Sequence, residues 1–284
     1  LGIVFSKFVE IQGKGGFVMA GKYLLIDTSL CISCRACQVA CKKWHKLPPI
    51  WEKDVPQAGD TQTNWANCVW KDSVEPWNDL TPINTPPLID NELRTDLTGT
   101  TFTIVKEREA EVNRKVKKLI GGSWSTSVYS KLTRLFFKDQ CHQCINPFCM
   151  GACPLKAIER DIATGAVVIT DACDINLCPT LANGKHPCEV ACPYHIPRIN
   201  NLKGKATKCD FCYDRIRDGS GRKTSCAEAC PADAVMFGGY KKINDLATTR
   251  LKKAKKRYPD ANLYQPYPSR VWWILVTTKD KYGL

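Results

Sequence analysis

Cys31, Cys34, Cys37 and Cys41 follow one another at C-x2-C-x2-C-x3-C spacing. Three thiolates on one tight loop can wrap one corner of an iron–sulfur cube. The fourth lies about one helical turn further on and points elsewhere. In two-cluster ferredoxins a cysteine in that place ligates the other cluster. This stretch therefore predicts a further cysteine group that folds back against it.

The chain supplies three more groups. The second is Cys141-x2-Cys144-x4-Cys149-x3-Cys153-Pro154. The third is irregular, Cys173-x4-Cys178-x9-Cys188-x3-Cys192-Pro193, and the fourth runs Cys209-x2-Cys212-x13-Cys226-x3-Cys230-Pro231. Of 17 cysteines only Cys68 stands outside the groups. A disulfide framework belongs to short secreted chains, whereas tight gaps in a chain of 284 residues read as metal sites. Zinc favours paired C-x2-C knuckles. The triple C-x2-C-x2-C suits three corners of a cube better, although for the fourth group taken alone zinc is a fair rival. Four groups of four thiolates give four [4Fe–4S] clusters, which move one electron at a time.

Nothing else carries chemistry. The histidines are His45, His142, His186 and His195. His142 sits inside Cys141–Cys144, as a cluster-tuning group or an exposed loop residue. No Ser–His–Asp order, P-loop or G-x-G-x-x-G stands out. The formal charge of +13 counts every thiol as neutral. Four cubes with their thiolates would lower it to roughly +5, so much of the lysine and arginine offsets buried negative charge. The one dense basic run, Lys252-Lys253-Ala254-Lys255-Lys256-Arg257, reads as a solvated helix face, and no nucleic-acid partner is expected. No apolar run reaches membrane-spanning length; Val271–Val276 is strand-sized. No secretory signal is visible.

The elements that position the cysteines can be read around them. Lys22–Asp27 is a strand entering the first group, and Arg35 to about His45 a helix ended by Pro48 and Pro49. Residues 48–133 read as a long insert over the cluster core and a partner surface. It holds Trp51, Trp65, Trp70, Trp77 and Trp124 as packing, with one strand at Thr101–Arg108. Ala157–Arg160 and Ala166–Ile169 flank a hairpin turn at Ala163-Thr164-Gly165. A strand near Ala234–Phe237, a helix over Asn244–Arg257 with Leu246 and Leu251 on one side, and a strand over Arg270–Thr277 complete the reading. Three groups end in C-x3-C-Pro, an internal repeat in which the proline starts a new turn.

Three stretches carry a resemblance: Ile26-Asp27-Thr28-Ser29-Leu30-Cys31 onward to Trp44, Cys192-Pro193-Tyr194-His195-Ile196-Pro197-Arg198, and Lys208-Cys209-Asp210-Phe211-Cys212-Tyr213-Asp214-Arg215. With Tyr258-Pro259-Asp260-Ala261 and the late strand, the sequence from about Lys22 onward resembles the four-cluster electron-transfer subunits of molybdenum/tungsten bis-pterin oxidoreductases. It looks most like the formate dehydrogenase beta subunit. The resemblance implies an α+β fold of two pseudo-twofold-related double-[4Fe–4S] ferredoxin-like modules. Module A would take 20–47 and 206–240, module B 134–205, with the insert at 48–133 and a helix–strand extension at 241–284. It pairs the first group with the fourth and the second with the third. The implied ligand sets are Cys31, Cys34, Cys37 with Cys230; Cys209, Cys212, Cys226 with Cys41; Cys141, Cys144, Cys149 with Cys192; and Cys173, Cys178, Cys188 with Cys153.

It also implies a pterin-bearing catalytic partner, and a cytochrome, quinone-reactive subunit or other external acceptor. Membrane-bound members add a C-terminal membrane helix, whose absence before Leu284 leads to the expectation of a soluble or peripheral complex, cytoplasmic or co-exported to the periplasm. A free-standing polyferredoxin shuttle is the alternative of another class. Within the third group two readings stand: full ligation around a bulged loop at Pro179–Pro187, with Cys68 as an outside candidate should Cys173 not reach, or a lost cluster with relic cysteines.

Overall fold

The computed structural model describes residues 21–47, 96–201, 203–266 and 269–284. Strand β1 (Lys22–Asp27) has Tyr23, Leu24, Leu25 and Ile26 all buried, so both of its faces must be covered. Helix α1 (Ala36–His45) follows at once. Two strands of 18 residues each, β2 (Thr103–Ile120) and β3 (Ser123–Gln140), then pair antiparallel along their whole length. Short elements carry the remaining cysteine groups: α2 (Phe148–Gly151), β4 (Ile158–Arg160), β5 (Val167–Ile169), α3 (Pro187–Ala191), β6 (Arg198–Asn200), β7 (Lys205–Thr207), α4 (Tyr213–Ile216) and α5 (Ser225–Glu228). Strand β8 (Val235–Gly239), helix α6 (Tyr240–Lys255) and strands β9 (Asn262–Tyr264) and β10 (Val271–Leu275) close the chain, with a 3-10 turn at Lys279–Tyr282.

The central sheet has the order β8-β1-β10-β9. Strand β10 lies parallel to β1, Leu24 opposite Val271, while β8 and β9 run antiparallel at the two sides. The last strand therefore completes the sheet that leads into the first cysteine loop. Its five residues are all buried, and each large apolar side chain so covered contributes roughly 1.5–3 kcal/mol. On one face Trp273 stacks on Phe137 of β3 at 5.1 Å between ring centroids and donates from Nε1 to Lys138 O at 3.0 Å. Ile243 and Ala247 of α6 join the same core.

The strand, helix and hairpin expectations around the cysteines agree with this arrangement. The β4–β5 pair turns through Gly165, whose φ of +77° suits glycine. Helix α6 starts at Tyr240, four residues before the expected Asn244, and buries Ile243, Ala247 and Ala254, with Leu246 and Leu251 partly covered. The basic run at its end is exposed around Ala254, as expected of a solvated face.

The insert differs in its last part. In place of one short strand at Thr101–Arg108, residues 103–140 form a ribbon roughly 60 Å long by strand rise. The ribbon is anchored partway along by Lys115 N donating to Arg257 O at 2.7 Å and by Asn113 bonding Asp260 at 2.9 Å. Beyond that point most side chains are exposed, Trp124 among them, so this tryptophan is not packing. Trp51, Trp65, Trp70, Trp77 and Cys68 lie outside the described residues.

Candidate iron–sulfur centres

The cysteine loops share a local grammar. In the second, third and fourth groups the first cysteine of C-x3-C sits on a single helical turn: Cys149 on α2, Cys188 on α3, Cys226 on α5. The Cys-Pro that follows folds into a tight turn each time. Lys156 N donates to Cys153 O, His195 N to Cys192 O and Asp233 N to Cys230 O, at 3.2, 3.0 and 3.3 Å. The closing residues Lys156, His195 and Asp233 have φ of 51°, 49° and 48°. Left-handed backbone also curls the ligand loops at Ser33, Arg35, Gln143, Phe211 and Cys212. A chain that bends this sharply turns several side chains toward one point.

All sixteen described cysteines are free thiols, so no disulfide forms among them. Burial pushes Cys31 up, with Cys230 and Cys34 close by. Burial likewise takes Cys37 up to about 11, with Cys226, Cys31 and Cys230 near it. Cys41 is driven well above the ordinary thiol value by burial and then by Cys209, Cys212 and Cys226. Cys144 and Cys149 are pushed up to about 12 and about 11 by burial, both beside Cys141 and Cys192. Cys188 rises to about 12 from burial, Glu189 and then Cys149, Cys173 and Cys178, while Cys178 has Cys153 and Cys173 near it. Cysteines of the first group thus lie near those of the fourth, and cysteines of the second near those of the third. Cys226 also acts on Cys37, Cys141 on Cys209 and Cys149 on Cys188.

Two sets of four cysteines line one cavity each. The first is walled by Cys141, Cys144, Cys149 and Cys192 with Tyr194 and Lys208. The second is walled by Cys153, Cys173, Cys178 and Cys188 with His186 and Ile175. The irregular third group is accommodated by a bulge: Leu181 N donates to Lys185 O and Gly184 N to Leu181 O, both at 2.9 Å, and the exposed loop returns the chain to Cys188. Cys173 lines the cavity beside the others. His142 is not an exposed loop residue. It is buried against Tyr194 and Trp273, burial pushes its pKa down to about 3, and its Nδ1 has no partner among the described residues.

Iron–sulfur clusters fit this donor chemistry. Four convergent thiols, apolar walls and a nearby orphaned imidazole nitrogen suit each cavity to an iron-bearing group. Hydrogen-bonding groups lie beside several cysteine sulfurs. Ser225 Oγ and His45 Nε2 lie 3.4 and 3.7 Å from Cys212 Sγ, Thr224 Oγ1 lies 3.4 Å from Cys226 Sγ, and Ala157 N lies 3.3 Å from Cys153 Sγ. Two buried lysines complete the surroundings. Burial alone would disfavour the charge on Lys138, but Cys226, Cys37, Cys209 and Cys41 outweigh it and raise its pKa. Cys141, Cys149 and Cys209 do the same for Lys208. No spacing or motif marks Lys138 in the sequence, whereas Lys208 heads the stretch Lys208–Arg215 singled out above.

Such a fold and donor set define an iron–sulfur electron-transfer protein, and residues 132–240 match the 4Fe-4S dicluster domain. The protein is 33% identical over 264 residues to the beta subunit of formate dehydrogenase 2 (cytochrome c-553) of Nitratidesulfovibrio vulgaris, covering 92% of this sequence and 96% of that one. It is 30% identical over 243 residues to the iron–sulfur subunit of the nitrate-inducible formate dehydrogenase of Escherichia coli, covering 85% of this sequence and 63% of the relative. A subunit of the anaerobic dimethyl sulfoxide reductase of Escherichia coli is 33% identical over 150 residues, covering 50% and 68% respectively. The protein belongs to the family of formate dehydrogenase beta, or iron–sulfur, subunits, and is an electron-transfer subunit of a molybdenum/tungsten oxidoreductase. Among the described residues no helix is long and apolar enough to cross a membrane.

Proposed function

We propose that the protein relays electrons from formate oxidation in a pterin-bearing catalytic subunit to an external acceptor. Its sixteen grouped cysteines would hold four [4Fe–4S] clusters in the four sets given above. One observation carries this reading: Cys141, Cys144 and Cys149 line one cavity with Cys192, and Cys173, Cys178 and Cys188 line another with Cys153, each cavity drawing on two separated groups. Bound there, each cluster supplies a one-electron relay. The protein's own residues hold the iron, exclude water with buried neighbours such as Phe211 and Ile196, and aim hydrogen bonds and positive charge at the ligand sulfurs.

Formate as the substrate is supported by the relatives' names. The two-module layout is supported by the repeated Cys-Pro turns, with 20–47 and 206–240 as one module and 134–205 as the other. The insert faces the partner, supported by the exposed apolar side chains Trp124, Val128 and Leu132 on one face of the β2–β3 ribbon. The acceptor is a cytochrome, a quinone-reactive subunit or an equivalent carrier. The test is purification of the native complex with metal analysis. A large molybdenum- or tungsten-containing subunit with formate activity should accompany the protein. A monodisperse, fully iron-loaded chain with no partner would favour the shuttle instead. A partner without formate activity would move the substrate and leave the subunit role intact.

A further inference from the structure

Lys138 and Lys208 are the two lysines buried among the described residues, 2% and 5% exposed. Neither makes a salt bridge to a carboxylate among those residues. Their hydrogen bonds go to neutral acceptors. Lys138 Nζ donates to Gln140 Oε1, and Lys208 Nζ to Val167 O and to Cys209 O. An ammonium withdrawn from water is costly unless anions face it. Near Lys138 stand Cys226, Cys37, Cys209 and Cys41, which would be thiolates once they hold iron. Near Lys208 stand Cys141, Cys149, Cys209 and Asp210. Each lysine therefore stands where two ligand sets meet, and the two junctions share one set.

That shared set is Cys41, Cys209, Cys212 and Cys226. Ser225 Oγ, His45 Nε2 and Thr224 Oγ1 lie beside its sulfurs, where they would donate to iron-bound thiolates, and Gln143 Nε2 lies 3.9 Å from Cys209 Sγ. The shared set and the outer set of Cys153, Cys173, Cys178 and Cys188 each have one carboxylate beside them, Asp210 against Cys209 and Cys212 and Glu189 against Cys188, but the outer set has no buried lysine against it among the described residues. One-electron reduction adds a negative charge at a bound cluster, so fixed cations and sulfur hydrogen bonds favour the reduced form.

We propose that Lys138 and Lys208 are fixed counter-charges that raise the reduction potential of the site built by Cys41, Cys209, Cys212 and Cys226, making it the place within this protein where an electron rests. The proposal builds on the ligand sets above. The electron comes from the catalytic partner, leaves to the acceptor, and requires no bond making.

The test is redox titration of the cluster-loaded complex followed by electron paramagnetic resonance, with signals assigned beforehand through single Cys→Ser variants. Those variants test the ligand sets themselves, so failure of the sets and failure of the lysine role are separate results. Lys138→Met should lower the potentials of the sites of Cys31 and Cys41. Lys208→Met should lower those of Cys41 and Cys141. The expected change at the Cys41 site is at least tenfold in the reduction equilibrium, about 59 mV for one electron. The Cys178 site should not move, and Lys138→Arg and Lys208→Arg should keep the parental values. Full iron with no shift, or an equal shift at all four sites, would overturn the proposal. Loss of clusters in both the Met and the Arg variants would also overturn it, because packing rather than charge would then be what each lysine supplies. Loss in the Met variants alone supports it.

Discussion

Gln143 bridges to Cys209 across 66 positions of sequence: its Nε2 donates to Cys209 O at 2.7 Å, and its Oε1 accepts from Val167 N, also at 2.7 Å. The side chain is fully buried, and its backbone φ of 52° aims it inward. One amide thus ties the loop of the second cysteine group to the start of the fourth. Replacing it strands the buried Val167 N–H and leaves Cys209 O with only the longer bond from Lys208 Nζ, at 3.2 Å. Gln143→Leu should cost about 2–4 kcal/mol, read as faster hydrogen exchange at the Val167 amide and earlier loss of iron in urea. Unchanged protection at Val167 would remove this bridge from the account.

The left-handed residues after Cys-Pro lead to a second prediction. Lys156 has φ of 51° and is exposed, so its side chain contributes little beyond its backbone. An L-residue in this region carries about 1–2 kcal/mol of strain, worst when β-branched. Lys156→Gly should hold or raise the thermal midpoint, and Lys156→Val should lower it. The reverse order would mean that the turn is not held left-handed in solution.

Asp27 gives a pH dependence. It is 1% exposed, and burial raises its pKa against the pull of Ser29, Arg250 and Lys253. A carboxyl whose folded pKa lies above its unfolded value makes the folded state hold the proton more tightly. Its contribution is fully present below about pH 4 and is lost as the pH rises through the folded value. Asp27→Asn keeps an oxygen to accept from Ser29 N and Ser29 Oγ. It should unfold at higher urea than the parent at pH 7, with the gap narrowing as the pH falls. A gap that widens toward acid would reverse the sign.

Much of this was legible in the sequence, because cysteine spacing and short apolar runs are strong signals. Tyr23–Ile26, the Ala163-Thr164-Gly165 turn and Val271–Val276 all stand out from polar flanks. The length of the β2–β3 ribbon was not legible. Between Glu107 and Lys118 the charged side chains of β2 leave no clean apolar face, and backbone pairing to β3 rather than burial defines the strand. The burial of Lys138 and Lys208 was hidden for another reason. A lysine usually signals surface, and only the convergence of thiols from separated groups accounts for these two inside. The third group's x9 gap concealed an outward loop that leaves Cys178 and Cys188 at one cavity.

The ribbon provides a fourth prediction. Trp124, Val128 and Leu132 stand four residues apart on β3, so they share one face, where all three are exposed; Val128 pairs with the anchor Lys115 and Trp124 lies beyond it. In the proposed complex, Trp124→Asp should weaken association with the catalytic subunit by about 2 kcal/mol or more, with iron content unchanged. Affinity equal to the parent's would move the interface off the ribbon.

The ligand sets are the centre of the account, and diffraction from the iron-loaded protein at the iron absorption edge tests them most directly. Four separate iron–sulfur cubes are expected, about sixteen irons in all. Cys41 should share a cube with Cys209, Cys212 and Cys226, and Cys153 one with Cys173, Cys178 and Cys188. Three cubes, or Cys41 on the same cube as Cys31, would contradict it.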